Sequence, residues 1–295
     1  MEKPIIELND VKKQYRKKEV LKGISFSVYA GDIYAFIGPN GVGKTTTIKA
    51  ITGLTRISSG TVTIGKNRRI GLILDQNCLY SFFTAKENME YYLRLFGMNN
   101  DSTIDKYLKM VGLDNEKNVR VDKFSKGMKR RLVIVRALAM KPEILIMDEP
   151  LDGLDVSSQV IVIRLLKEWV KQGERCILYT SHDMAEVENL CNRIGFIKDG
   201  KIALQGTMRE VLQNEICTLR IVPRDNEDSV IASLADICPV YEKKEDELLF
   251  EADENTARLA IDALFDNNIR VNEYNLKYNS LTDIYERLNT DGKHN

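Results

Sequence analysis

The first two thirds of the chain alternate short apolar runs with amphipathic stretches. Uninterrupted apolar runs of four or five residues occur at Ile33–Ile37, Gly71–Leu74, Ile144–Met147 and Cys176–Thr180. Runs of this kind, separated by helical patterns such as Val156–Trp169, are typical of strands in a parallel sheet whose two faces are covered. The sequence therefore predicts an α/β fold with a mixed or parallel sheet.

Other elements of this part are placed by the same patterns. Short β-like runs at Ile5–Leu8 and Ile24–Val28 come first, and a helical stretch covers Thr45–Leu54. Two amphipathic stretches, Ala85–Phe96 and Ser102–Val111, predict helices inserted between strands. We expect this helical subdomain to occupy about residues 77–140.

The pattern changes after about Asn214, where shorter segments follow in the order β-α-β-β-α-β. This is the order of the ferredoxin-like split motif, and a last helix is expected at Leu281–Leu288. The six segments are Thr218–Val222, Ser229–Ala235, Val240–Glu242, Leu248–Glu251, Ala257–Phe265 and Val271–Leu276. We therefore predict a first domain at 1–214, a small α+β domain at 215–289 and a disordered tail at 290–295.

Composition narrows the class of protein. Lys plus Arg and Asp plus Glu both number 43, and this balance argues against a protein held to nucleic acid by bulk charge. No apolar run approaches the roughly 18 residues of a membrane span, and Met1–Pro4 does not lead into the apolar segment of a secretory signal. The five cysteines lack paired metal spacing, which indicates reduced, mostly buried, cytosolic thiols.

A phosphate-binding loop follows the run Ile33–Ile37 and opens the next helix. Its pattern is Gly, four residues, then Gly-Lys-Thr, and such glycines let backbone N–H groups wrap a phosphate at a helix N-terminus. Lys44 would reach the β- and γ-phosphates of ATP, and the Thr45 hydroxyl would bind Mg²⁺. The predicted nucleotide contacts are Gly38, Pro39, Asn40, Gly41, Val42, Gly43, Lys44, Thr45 and Thr46.

Two more apolar runs end in polar residues of catalytic type. Ile144–Met147 ends in Asp148 and Glu149, and ligands of parallel sheets bind at the carboxyl ends of the strands. Asp148 is placed to bind Mg²⁺, and Glu149 to act as the general base on the attacking water. Cys176–Thr180 is followed by His182, which we interpret as a γ-phosphate contact, although a lone histidine is more often structural.

These motifs, in this order, resemble those of an ATP-binding cassette (ABC) ATPase over roughly Ile5–Gly206. A further motif, Phe124–Met128, stands where that family carries its signature Leu-Ser-Gly-Gly-Gln. On its own, Ser125 would be an ordinary N-cap before a basic helix at Lys129–Arg131. With the other motifs present, we interpret the segment as the signature.

The resemblance implies roles for further residues. Tyr15 would stack on adenine, and Gln76 would contact Mg²⁺ and its water and sense the membrane subunit. The segment Leu151–Asp155 would form the loop that crosses between two ATPase subunits, with Asp155 near the nucleotide. Members of the family sandwich two ATP molecules head to tail. The signature residues Ser125, Lys126, Gly127 and Met128 would therefore face the ATP of the partner subunit.

Two signature positions depart from the family pattern. Lys126 replaces a glycine and brings a cation near the partner's triphosphate, and Met128 replaces a glutamine and loses an amide. Similar Ser-Lys-Gly-Met variants occur in single-cassette bacterial exporters of drugs, peptides and polysaccharides. Those ATPases often end in a C-terminal appendage like the one containing Ser280–Tyr285, so the resemblance favours export.

The predicted function is that of a Mg-ATP-hydrolysing subunit that forms a homodimer and drives a separate multi-span permease. Its place would be peripheral, at the cytoplasmic face of the membrane, without a nucleic-acid partner. The aromatic segment Asn77–Tyr92 would meet the permease, or serve as helical-subdomain core. A non-transport cassette ATPase and a non-hydrolysing binding module are the alternatives. The phosphate loop and both carboxylates disfavour the second alternative.

Overall fold

The computed structural model describes residues 3–74, 79–98, 101–213, 217–224, 226–278 and 280–290. The chain divides into two units, Met1–Gln205 and Gly206–Asn295. The boundary expected after Asn214 falls in a stretch outside the described residues, so the end of the first domain stays a prediction. The expected tail at 290–295 also lies outside them, except Thr290, which ends the last helix.

Strands and helices alternate through the first unit. In chain order they are β1 (Ile6–Tyr15), β2 (Lys18–Val28), β3 (Ile33–Ile37), α1 (Lys44–Ile51), β4 (Ser59–Ile64), β5 (Ile70–Ile73), α2 (Ala85–Leu95), α3 (Asp101–Met110), a 3-10 turn (Val121–Lys123), α4 (Lys126–Ala139), β6 (Ile144–Asp148), α5 (Val156–Val170), β7 (Cys176–Thr180), α6 (Met184–Leu190), β8 (Arg193–Lys198) and β9 (Lys201–Thr207). No helix in the described ranges combines the length and the apolar character needed to cross a membrane.

The main sheet has six strands in the order β5-β6-β7-β3-β8-β9. The pairs β5–β6, β6–β7, β7–β3 and β3–β8 are parallel. Every residue of β3 and β7 is buried, as continuous apolar strands require when both faces of a sheet are covered. The predicted α/β fold with a mixed sheet is confirmed, and its parallel strands bring their carboxyl ends to one edge.

A second sheet has the strand order β2-β1-β4, with both pairs antiparallel. The sequence patterns predicted only parts of its strands. The short runs at Ile5–Leu8 and Ile24–Val28 are parts of longer strands, while α1 ends at Ile51, before the expected Leu54. β4 contains no apolar run, so the sequence analysis did not predict this strand. Gly60 in this strand has φ +88°, and a Cβ there would lie 2.3 Å from the Asp10 carbonyl oxygen, so the close pairing requires glycine.

The helices α2, α3 and α4 form the predicted helical subdomain and pack on one another. Thr84 caps α2 in a capping box with Glu87, and Ser125 caps α4 by accepting from the Met128 amide at 3.1 Å. Apolar residues at helical spacing, such as Met89 and Leu93 of α2, are fully buried. Helical periodicity therefore located α2 and α3 to within one residue at each end, while the bounds of the subdomain stay a prediction.

The second unit has its own core. Its elements are α7 (Met208–Gln213), β10 (Cys217–Pro223), α8 (Glu227–Leu234), β11 (Tyr241–Lys244), β12 (Glu247–Ala252), α9 (Glu254–Asp266), β13 (Val271–Lys277) and α10 (Leu281–Thr290). The antiparallel sheet order is β11-β12-β10-β13, and the elements from β10 to β13 follow the expected β-α-β-β-α-β order. Leu219 and Phe250 of the sheet belong to the same buried cluster as Leu264 of α9.

Candidate functional site

The loops after β3, β6 and β7 meet at one edge of the main sheet. Asp148 at the end of β6 pairs with Thr180 at the end of β7, and Tyr179 of β7 pairs with Ala35 of β3. Parallel strands place ligand sites at their carboxyl ends. A cavity of about 330 Å³ lies there, lined by Val20, Asn40, Gly41, Gly43, Lys44, Thr45, Thr46, Asp148 and Glu149.

The glycine loop after β3 fits closely against its neighbours. A Cβ on Gly38 would lie 2.4 Å from the Ile197 carbonyl oxygen, and one on Gly43 would lie 2.6 Å from the Leu21 side chain. Gly43 has φ +122° and caps α1 without a side-chain hydrogen bond to the first helical turn. The amides of that turn and the positive end of the helix dipole are therefore available to an anion in the cavity.

Lys44 is the cation of this cavity. Its side chain is 8% exposed, and its ammonium donates to the carbonyl oxygens of Gly38 at 2.6 Å and Pro39 at 3.3 Å. Burial lowers the pKa of Lys44, while the nearby carboxylates of Glu149 and Asp148 oppose this shift. The ammonium therefore lies between loop carbonyls on one side and two acids on the other.

Asp148 and Thr45 bring together two oxygen atoms of the kind that a hard cation prefers. The Thr45 hydroxyl lies 3.5 Å from Asp148 Oδ2, and the Thr180 hydroxyl donates to Asp148 Oδ1. Mg²⁺ in phosphate-binding sites takes one or two protein oxygens and completes its shell with phosphate oxygens and water. This donor set fits Mg²⁺, and the described residues include no cluster of three or more His, Cys, Asp or Glu side chains that would suit another metal.

Glu149 has an unusual backbone conformation. Its φ of +48° lies in the left-handed region, which costs a non-glycine residue about 1–2 kcal/mol. The amide of Glu149 donates to the Thr180 carbonyl oxygen at 3.1 Å, and its Oε1 lies 3.2 Å from His182 Nδ1. Strained residues that the surrounding structure holds in place occur preferentially at functional sites. The structure thus brings the predicted base and the predicted γ-phosphate contact within hydrogen-bonding distance.

The predicted signature segment lies in a different part of the unit. Ser125 caps α4, and Lys126 Nζ forms an ion pair with Asp152 Oδ2 at 2.8 Å. The hydrogen bond from Lys126 lowers the pKa of Asp152. Gly127 faces the same loop, since a Cβ there would lie 3.7 Å from the Gly153 carbonyl oxygen. The unexpected cation at position 126 is therefore paired with a carboxylate of its own chain.

The remaining predicted residues lie outside the cavity or outside the described residues. Asp155 caps α5 by accepting from the Ser158 amide at 2.9 Å, and hydrogen bonds from Ser157 and Ser158 hold the pKa of Asp155 well below its ordinary value. Tyr15 is exposed at the end of β1, with its hydroxyl 3.4 Å from Thr55 Oγ1. Gln76 lies outside the described residues. Adenine stacking by Tyr15 and the contacts of Gln76 with Mg²⁺ stay predictions.

Several known proteins are similar to this chain over most of their length. A linearmycin resistance ATP-binding protein of Bacillus subtilis is 37% identical over 70% of each chain. An uncharacterized ABC transporter ATP-binding protein of the same organism is 32% identical over 96% of each chain, which includes the second unit. A Nod factor export ATP-binding protein of Burkholderia lata is 34% identical over 72% of this chain and 73% of its own. A profile described as "ABC transporter" matches residues 21–152.

The chain belongs to the ABC transporter ATP-binding protein family. It is the ATP-binding subunit of an ABC transporter and an ATPase. A solved dimeric ATP-binding cassette, described as a post-hydrolysis state bound to ADP and Pi, superposes with a TM-score of 0.62 at 26% identity. That match covers 69% of this ABC ATPase and 99% of the solved chain. The resemblance inferred from the sequence is confirmed.

The sequence analysis did not predict two residues at the site of this ABC ATPase, Thr180 and Arg130. Thr180 holds Asp148 through its hydroxyl and Glu149 through its carbonyl oxygen. The sequence did contain a signal for Thr180. It is the last residue of an apolar run, and another apolar run of the same predicted sheet ends in two acidic residues. Arg130 contacts the backbone around Glu149, but it lies in a basic run that is typical of a solvated helix face. No sequence pattern indicated its burial.

Proposed function

We propose that this ABC ATPase binds Mg-ATP in the cavity at the ends of β3, β6 and β7 and cleaves it with Glu149 as general base. The observation that supports the assignment is the convergence of Lys44, Asp148, Glu149 and His182 from three separate loops. A cation, an Mg²⁺-binding carboxylate, a base and a histidine at one end of a phosphate loop are the groups that phosphoryl transfer requires.

Each group has a distinct task. The loop amides and Lys44 bind the β- and γ-phosphates, because an ammonium now donating to Gly38 and Pro39 can donate to phosphate oxygens instead. Mg²⁺, held by Thr45 and Asp148, would neutralise charge on the phosphate oxygens. Glu149 orients and deprotonates the attacking water. His182, whose Nδ1 lies 3.2 Å from Glu149 Oε1, contacts the γ-phosphate and orients the base.

The functional unit that we propose is a homodimer that closes around two ATP molecules. The dimeric cassette with a similar fold supports this arrangement. Ser125 and Gly127 would meet the γ-phosphate bound by Lys44 of the second copy. Lys126 would approach the same triphosphate with its charge partly balanced by Asp152. The ion pair with Asp152 therefore reduces the effect that Lys126, in place of the family's glycine, would have on closure of the dimer.

The cargo pathway would be a separate multi-span permease, and the process would be export. The names of similar proteins include Nod factor export and linearmycin resistance, which support export over import. An ATPase subunit that acts on a permease would sit at the cytoplasmic face of the membrane as a peripheral protein. The cargo itself is not recognised by any group in the ATP site.

An exposed group of aromatic side chains, which we call the aromatic patch, is the proposed contact with the permease. It consists of Tyr80, Phe82, Phe83 and Tyr91, all exposed, on α2 and the segment that precedes it. Tyr80 contacts Phe83 and Tyr91 with ring centroids 5.3 and 4.9 Å apart. Aromatic clusters of this kind supply the anchor residues of protein interfaces. The prediction that these residues instead form the subdomain core does not fit their exposure.

The substitution Phe82→Ala should weaken binding to the permease by about tenfold or more, because an aromatic anchor at an interface typically contributes more than 1 kcal/mol. The Phe82 side chain is 79% exposed, so its removal should leave the fold and the ATPase rate of the isolated chain unchanged. The measurement is the fraction of the chain that is recovered with membranes containing the permease.

Leu54→Ala is the matched control, because Leu54 is also exposed (63%) and apolar but lies outside the aromatic patch. It should bind membranes as the wild-type chain does. Equal binding of Phe82→Ala and wild type would contradict the assignment of the patch. Failure of the wild-type chain to associate with those membranes would instead favour a non-transport ATPase.

The second unit is proposed to be an accessory or dimer-contact domain. The residues that line the cavity all belong to the first unit, and each unit has its own hydrophobic cluster. A chain that ends at Asn214 should therefore fold and bind ATP with the affinity of the full chain, as measured by calorimetric titration. A truncated chain carrying Lys44→Ala is the control. A folded truncated chain that fails to bind nucleotide would show that the second unit takes part in the site.

A further inference from the structure

Arg130 of α4 is a buried guanidinium that contacts the backbone next to the catalytic carboxylates. It is 3% exposed. Its Nε donates to the Pro150 carbonyl oxygen at 2.8 Å, and its Nη2 donates to the carbonyl oxygens of Asp148 at 3.0 Å and Glu149. Its Nη1 donates to the Leu74 carbonyl oxygen at 3.2 Å. One side chain thus bridges the last residue of β6, the two residues that follow it and the residue after β5.

These contacts explain how the backbone of Glu149 is held. The left-handed φ of Glu149 turns the chain sharply, and the carbonyl oxygens of Asp148, Glu149 and Pro150 come within reach of one planar group. A guanidinium presents five donors in a fixed fork and remains charged, so it satisfies several carbonyls at once. A lysine at this position has a single ammonium centre and cannot reproduce the fork.

We propose that Arg130 is a positioning residue for Glu149. It fixes the left-handed turn and thereby directs the carboxylate at the attacking water, without itself touching ATP. The inference rests on the proposed role of Glu149 as general base. Because α4 begins at the signature segment, Arg130 also ties that helix directly to the base and to the end of β5.

The decisive variant is Arg130→Lys in the full chain, which keeps the charge and most of the side-chain volume. Loss of the fork should lower kcat for ATP about a hundredfold, since a misplacement of about 1 Å costs that much. The KM for ATP and the affinity for nucleotide should stay near the wild-type values, because the four carbonyl oxygens that accept from the guanidinium belong to the ends of β5 and β6 and not to the phosphate loop.

Arg131→Lys is the matched control. Arg131 is the next residue of the same helix, and its Nη1 donates to the Val111 carbonyl oxygen within the helical subdomain. Arg131→Lys should lower the thermal midpoint of unfolding about as much as Arg130→Lys does. Its kcat for ATP should stay at the wild-type value. An equal kcat for Arg130→Lys and wild type would overturn the proposal. Failure of both Arg130→Lys and Arg130→Gln to fold would also overturn it, by making Arg130 a residue of stability alone.

A double-mutant cycle with Glu149→Gln separates positioning from a general structural effect. If Arg130 acts through Glu149, adding Arg130→Lys to Glu149→Gln should leave the residual turnover unchanged, because interacting sites are not additive. An equal fractional loss in both backgrounds would overturn the proposal. Wild-type turnover in Glu149→Gln would refute the proposed base itself, and the inference with it, which distinguishes that failure from failure of Arg130 alone.

Discussion

Lys44→Ala should lower the affinity for ATP by about a hundredfold or more while leaving the chain folded. Among the described residues that line the cavity, Lys44 is the only cation, and it stands opposite Asp148 and Glu149. Removing it deprives the triphosphate of a charge-assisted partner and leaves two carboxylates that repel the nucleotide. Truncating one member of a buried, hydrogen-bonded charge pair typically costs about 2–5 kcal/mol. Calorimetric titration with Mg-ATP measures the loss.

The fold should survive because the ammonium donates to two loop carbonyl oxygens, those of Gly38 and Pro39, and water can take its place there. Lys49→Ala is the matched control, since Lys49 lies on the same helix but is exposed to solvent. It should bind ATP as the wild type does, with the same circular dichroism spectrum. Retained micromolar binding by a folded Lys44→Ala chain would show that this loop is not the phosphate site.

Elements with a continuous or helically spaced set of apolar residues were the most predictable from sequence. The run Cys176–Thr180 matches β7 at both ends, and Ala85–Phe96 matches α2 to within one residue. The first is an uninterrupted apolar run that is buried on both faces, and the second has apolar residues at helical spacing that are buried on one face. The strands of the antiparallel sheet were less predictable. β1 continues through polar residues with register shifts, and β4 has few apolar residues, so pairing with neighbours rather than local pattern defines them.

The candidate site was predictable where chemistry fixes spacing along the chain. The loop around Lys44 needs consecutive residues, and Asp148 and Glu149 follow from the end of one strand. Contacts that depend on tertiary packing were not predictable. Arg130 reaches Glu149 only because α4 packs against β5, the neighbour of β6 in the sheet. The ion pair of Lys126 with Asp152 joins the start of α4 to the loop after β6. Local periodicity carries no information on such contacts.

Glu149→Gln should bind ATP, hydrolyse it about 10²–10⁴-fold more slowly, and accumulate as an ATP-bridged dimer. Glutamine keeps the size of glutamate and one acceptor oxygen, so the site can still orient water and bind nucleotide. It cannot take up the proton of the attacking water, so the step that consumes the γ-phosphate is lost. The measurements are the steady-state rate of phosphate release and size-exclusion chromatography in Mg-ATP.

Glu143→Gln is the matched control for this substitution. Glu143 precedes the opposite end of the same strand, where it pairs with Arg69 on the surface. An exposed ion pair contributes at most about 1 kcal/mol, so this variant should keep wild-type turnover and remain monomeric in the same buffer. Adding Lys44→Ala to Glu149→Gln should abolish the dimer, because the nucleotide that bridges the subunits would no longer bind.

The persistence of the dimer follows from where the γ-phosphate would lie. If Ser125 and Gly127 of one copy contact the γ-phosphate held by Lys44 of the other, intact ATP joins the subunits and hydrolysis releases them. The ion pair between Lys126 and Asp152 keeps the extra cation close to its own loop, so it should not block this closure. Wild-type turnover in Glu149→Gln would remove the residue from the mechanism. Lost turnover without a dimer would mean that closure requires the permease, and adding the membrane subunit should then restore the dimer.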